Sequence, residues 1–98
     1  MTHIPEIRSE ADADILEAAL WYEERLDGLG LQFLGELDQV IERVAETPRL
    51  FPEIAPGVRR ALLHRFPYSV YFEYSPEGSA VIAVLHQHRH PATWQDRQ

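Results

Sequence analysis

Val58–Arg89, VRRALLHRFPYSVYFEYSPEGSAVIAVLHQHR, decides the fold, because here apolar residues recur with a period of two. Three runs, Val58–Phe66, Tyr68–Tyr74 and Ala80–Arg89, are rich in β-branched, aromatic and aliphatic residues. Pro67 and Ser75-Pro76-Glu77-Gly78 separate them as turns do, so the stretch predicts an antiparallel meander. Within it Tyr68, Phe72 and Tyr74 alternate with Ser69, Tyr71 and Glu73. The first set is therefore expected to pack inward and Tyr71 to be the exposed aromatic.

Upstream the period lengthens to that of a helix. Ser9 reads as an N-cap, and Glu10, Asp12 and Asp14 place negative charge where the helix dipole favours it. Ala11, Ile15, Ala18, Ala19, Tyr22 and Leu26 then form one apolar face over Glu10–Leu26, stopped by Asp27-Gly28. A second helix runs from Gly30 to Thr47-Pro48, with Phe33, Leu34, Leu37, Val40, Ile41 and Val44 as its stripe. So short a connection packs the two as an antiparallel hairpin, since neither buries its stripe alone. Pro48–Gly57 holds three prolines and a glycine and reads as an extended loop, with Leu50 and Phe51 tacking it to the core. Thr2–Arg8 is short enough to be at most an edge strand, and His90–Gln98 a loop or helical turn. The result is an α+β layer fold, β-α-α-β-β-β, with the helical hairpin on one face of a small, mainly antiparallel sheet.

At 98 residues, the chain has room for one domain and one small core. It has no cysteine, which excludes disulfide frameworks, thiolate chemistry and cysteine-held metals. The longest apolar run, Ala80–Leu85, falls far short of the roughly 20 residues of a membrane span. The N-terminus carries charges where a signal peptide is apolar, so a soluble cytoplasmic protein is expected. Net charge is −7, which disfavours binding nucleic acid through the overall field. Residues 1–53 hold 13 acids and 4 arginines, net −9, whereas residues 54–98 hold 3 acids and 5 arginines, net +2.

One ordered set of residues carries a family resemblance. It runs Ala11…Asp14-Ile15…Trp21-Tyr22-Glu23, Gly28-Leu29-Gly30, Phe33-Leu34, Pro48, Val58-Arg59-Arg60, Phe66-Pro67-Tyr68-Ser69-Val70-Tyr71-Phe72 and His86-x-x-Arg89-x-Pro91-x-x-Trp94. In this order, over about residues 5–97, the chain resembles the RelE/ParE superfamily of toxins from type II toxin–antitoxin modules, and more closely its ParE-like, plasmid-stabilisation branch. The resemblance implies a cytoplasmic growth inhibitor neutralised by a cognate antitoxin encoded by an adjacent gene. It also implies a homodimer or a heterotetramer with that antitoxin, with no cofactor and no membrane partner.

The two branches imply different chemistry. RelE-like members resemble ribosome-dependent mRNA endonucleases, which need an activated 2′-hydroxyl, a cation for the developing charge and an acid for the leaving oxygen. On that reading Arg60, Arg65, His88 and Arg89 would serve. Ser69 stands where that branch has an arginine, and His88 and Trp94 fall near its late arginine and terminal tyrosine. ParE-like members lack the nuclease set and are associated with inhibition of DNA gyrase. The thinned cationic set favours this non-enzymatic reading, with Arg59, Arg60, Arg65, Arg89 and Arg97 as target-binding candidates; a third reading is a degenerate, non-toxic interaction protein that still binds an antitoxin.

Two further groups remain. His86, His88 and His90 would share one face of a continuous strand, a spacing able to hold a metal, but no carboxylate closes the set and Pro91 ends the strand, so no metal site is expected. Trp21 lies one position off the apolar stripe and, with Glu17, Glu24 and Tyr71, is an antitoxin-contact candidate. Because the helices are so acidic, an antitoxin segment crossing them is expected to be basic, and one over Arg59, Arg60 and Arg89 acidic.

Overall fold

A computed structural model describes residues 4–89 and 92–97. The strands are β1 (Glu6–Ile7), β2 (Glu53–Ala55), β3 (Val58–Leu62), β4 (Tyr68–Ser75) and β5 (Gly78–His86). The helices are α1 (Ser9–Arg25), α2 (Leu29–Glu46) and the single turn α3 (Ala92–Gln95). One sheet forms in the order β1-β5-β4-β3-β2, with β1 parallel to β5 and the other pairs antiparallel.

The hairpin of α1 and α2 covers one face of this sheet as the periodicity predicts. Ala11, Ala18, Ala19, Phe33, Leu37, Val40 and Val44 are buried against Ala61, Leu63, Phe66, Val70, Phe72, Val81 and Val84. The helices approach closely at Gly30, where an added Cβ would lie 2.6 Å from the Ala19 carbonyl oxygen. Gly28, in the left-handed region at φ 88°, makes the turn between them. The Glu23 carboxylate then accepts the Gly28 and Gly30 N–H groups at 2.8 and 3.0 Å, supplying partners that the first turn of α2 lacks.

Several boundaries and faces differ from the sequence reading. Arg8, not Ser9, holds the N-cap position of α1, and the Ser9 hydroxyl donates to Glu10 instead. Leu26 leaves the helix in an extended conformation (φ −159°, ψ 128°), which carries its side chain off the stripe to 61% exposure. Pro48–Gly57 is not an unstructured loop: Pro48–Leu50 forms a 3₁₀ turn, and β2 pairs with β3 as a fifth strand. An edge position tolerates prolines on either side of the strand, which is why their density misleads. Phe51 does tack this segment down, edge-on to Phe72 at 5.8 Å, whereas Leu50 is exposed.

The apolar run of β5 hides a β-bulge. Tyr71 pairs with Ala83 and Phe72 with Val81, so Ile82 is an extra residue. The extra residue shifts the alternation, and Ile82, Ala83 and Leu85 join a second cluster, with Val58, Tyr71 and Trp94, on the face away from the hairpin. Tyr71 is thus 5% exposed, not the exposed aromatic expected, because Trp94 of α3 stacks on it at 5.3 Å and an interplanar angle of 16°.

Candidate functional site

Where β4 begins and β5 ends, the sheet meets the middle of α1. Strand pairing sets Tyr68 opposite His86, and their rings lie 5.5 Å apart on the hairpin side. Tyr22 sits below them, 4.8 Å from Phe66, 5.5 Å from Phe33 and 6.0 Å from Tyr68. Trp21 stands edge-on to Tyr22 at 5.1 Å, and the Arg25 guanidinium covers its ring at 3.9 Å. Glu17, Trp21, Tyr22, Pro67, Tyr68 and His86 enclose a cleft of about 450 Å³. Burial raises the Tyr22 and Tyr68 phenols above their ordinary range, and at Tyr68 the Glu17 charge adds to the effect. Both phenols are therefore neutral, and the cleft presents an aromatic wall with Glu17 as its one carboxylate.

A shallower depression of about 590 Å³ lies at the far end of the strands, walled by the turn residues Ser75, Glu77, Gly78 and Ser79 and by the Arg8–Glu73 ion pair (3.2 Å). Its walls are exposed turn backbone and a solvated ion pair, so it offers less to a ligand than the aromatic cleft.

The five candidate arginines are dispersed. Arg59 donates to the Phe51 carbonyl at 2.6 Å and lies 3.8 Å from Glu53, which ties β3 to the segment before β2. Arg65 donates to Gln32 Oε1 at 2.7 Å while Glu36 accepts the His64 and Arg65 N–H groups, so the turn is pinned to α2. Arg97 is not a free surface cation. It grips Asp14 through both terminal nitrogens (2.5 and 3.2 Å) and donates to the Ile82 carbonyl at 3.2 Å. Asp14 in turn accepts the Val84 N–H at 3.0 Å. The ion pair thus supplies a donor and an acceptor to β5 where β1 has ended, and the paired carboxylate holds the guanidinium above its already high range.

Arg60 and Arg89 are left. Arg60 pairs with Tyr71 across β3 and β4, on the face away from the hairpin. Its Nε is buried and has no hydrogen-bond partner among the described residues. Arg89 is exposed beyond β5, its backbone N–H closing a turn onto the His86 carbonyl at 2.9 Å. That turn removes His88 from the strand: its N–H donates to His86 Nδ1 at 3.2 Å, and the two rings lie 5.3 Å apart. His90 lies outside the described residues. Among the described residues, no three His, Cys, Asp or Glu side chains gather as a metal would need.

The Asp14–Arg97 clamp escaped the sequence reading, although a signal was there. Asp14 falls three residues after Ala11 and four before Ala18, which places a carboxylate on the buried stripe itself.

Residues 6–91 match the family model for the ParE toxin of the type II toxin–antitoxin system, parDE. The chain belongs to the ParE toxin family. A solved structure, described as the chromosomal ParDE TA system from P. aeruginosa, shares the fold at a TM-score of 0.69 and 20% identity. That likeness covers 87% of this chain and 98% of the other. Comparison with curated proteins finds no match. Membership places the protein in type II toxin–antitoxin modules and implies an antitoxin partner. No helix among the described residues is long and apolar enough to cross a membrane.

Proposed function

We propose that this ParE-family chain arrests growth in the cytoplasm by binding a protein target, DNA gyrase being the target its branch suggests, without covalent chemistry. We further propose that a cognate antitoxin encoded beside it neutralises it. One observation carries the choice of binding over cleavage: the residues an mRNA endonuclease would need do not converge. Arg60 lies on the sheet face away from the hairpin, whereas Arg65 is held by Gln32 of α2 and His88 sits beside His86 on the hairpin side. The sheet stands between them, so one phosphodiester cannot touch both cations at once.

Of the five candidate arginines, Arg60 and Arg89 are left to meet a target, since Arg59, Arg65 and Arg97 are engaged within the chain. Purified protein is expected to inhibit supercoiling by gyrase, and Arg60→Ala with Arg89→Ala to weaken that inhibition about tenfold. Primer extension on translated mRNA after induction is expected to show intact messages. Codon-positioned cuts that vanish in His88→Ala, with supercoiling unaffected, would establish the enzyme instead.

A further inference from the structure

The exposed side of α1 and the adjoining cleft form one surface with an ordered chemistry. Leu16 and Leu20, more than half exposed, share one edge of it. At 3.6 residues per turn, Glu17 and Glu24 fall beside them and Trp21 beyond, at the mouth of the cleft. Apolar, acidic and aromatic strips therefore run in parallel along the helix. Neither Glu17 nor Glu24 makes a hydrogen bond or ion pair among the described residues, in contrast to Asp14 and Glu23, which are bound to Arg97 and to the start of α2. Trp21 remains 48% exposed although it is held edge-on by Tyr22 and covered on one face by Arg25. An aromatic ring fixed in place yet open to solvent has lost its rotamer freedom before any partner arrives, which lowers the cost of binding against it.

We infer that this surface takes a basic amphipathic segment of the antitoxin. One large apolar side chain fills the cleft against Trp21, Tyr22 and Tyr68, and arginine or lysine within a turn of it meets Glu17 and Glu24. Charge selects this occupant. Residues 1–53 carry a net −9, and the cleft's only carboxylate, Glu17, is unpaired among the described residues, so an acidic segment would be repelled along the length of α1. The cleft favours an apolar anchor, because most of its wall is ring surface. A second copy docking through its own α1 is disfavoured by the same arithmetic, since it would bring an equally acidic helix. Arg25 lies against the outer face of Trp21, so the basic residues of the partner must approach from the Glu17 and Glu24 side.

This inference rests on the antitoxin reading above, and the test separates the two. The probe is the protein encoded by the reading frame beside this gene, titrated against the full chain while the tryptophan emission is followed. Trp94 is buried on the opposite face, so Trp21 reports the event. Binding should shift the emission in wild type and leave it unshifted in Trp21→Phe. Trp21→Ala is expected to weaken the complex about tenfold, and Glu17→Arg with Glu24→Arg by a similar factor while flattening its salt dependence. Both changes are at exposed positions, and an unchanged thermal melt confirms that the fold survives. Binding by all variants within about twofold of wild type, or tighter binding by the charge reversals, overturns the cleft and leaves the antitoxin reading standing. Failure of wild type to bind overturns both.

Discussion

The two faces of the sheet are built from the same strands and closed in different ways. On one, 35 residues of helix in α1 and α2 lie over a ring cluster of Tyr22, Phe33, Phe66 and Tyr68 and a band of aliphatic side chains. On the other, a four-residue helix lays one tryptophan on one tyrosine. The first face holds itself together by area, because many side chains share each burial. The second has so little covering that its position depends on where the covering segment is fastened. Arg97 is that fastening: it reaches round the β5 edge from beyond α3 to Asp14 on α1. The binding candidates divide along the same line, with the aromatic cleft on the thick side and Arg60 on the thin one.

Truncations on the two faces give the sharpest contrast. Phe33→Ala removes the hub of the ring cluster and is expected to cost about 3–5 kcal/mol, a large share of the stability of a domain this small. Trp94→Ala should fall at or below about 3 kcal/mol, because its site can collapse towards solvent, and should leave far-UV circular dichroism unchanged. Equal losses in urea titrations would show the faces to be energetically alike and break the distinction.

Next in size is Arg97→Ala. It leaves Asp14 largely buried with only the Val84 N–H and strips the Ile82 carbonyl of its donor, for a loss of about 1–3 kcal/mol. Amide exchange at Val84 is expected to accelerate, while that at Val70, inside the sheet, follows global stability alone. Unchanged protection at Val84 would mean the clamp does not guard the edge.

The smallest effect is a pH dependence confined to the hairpin face. Tyr22 and Tyr68 have folded-state pKa values raised above the ordinary phenol value of about 10. Their contribution to stability is therefore fully present below about pH 10 and is lost as pH climbs through the raised values. Urea midpoints should fall as pH rises above about 10, and the double change Tyr22→Phe, Tyr68→Phe should flatten that fall. An unaltered slope would place the alkaline sensitivity elsewhere.

The contrast also explains what could be read from sequence. The stripes of α1 and α2 and the three long strands were legible because each rests on a local period. Tyr71 was not, since its partners come from α3 and from the bulge at Ile82, which no alternation within β4 announces. The strand β2 was masked by Pro52 and Pro56, whose rings suit an edge as well as a loop. Of the candidate site, Trp21, Glu17 and Glu24 are exposed on α1 as expected from the helical wheel, because a helix fixes the bearing of every residue. The arginines were less legible: Arg59, Arg65 and Arg97 each meet a partner 8 to 83 positions away, and sequence spacing says nothing of such encounters.

The Asp14–Arg97 pair has a consequence for the order of events. It joins residues 83 apart and requires α1, β5 and α3 all to be in place, whereas the β4–β5 hairpin closes through a local turn. Loop-closure entropy rises with separation, so contacts of this span form after the local ones. The β5 edge at Ile82 and Val84 is then expected to shut after the β4–β5 hairpin has closed. Each time the chain folds, that stretch of backbone passes through an interval in which only water satisfies it.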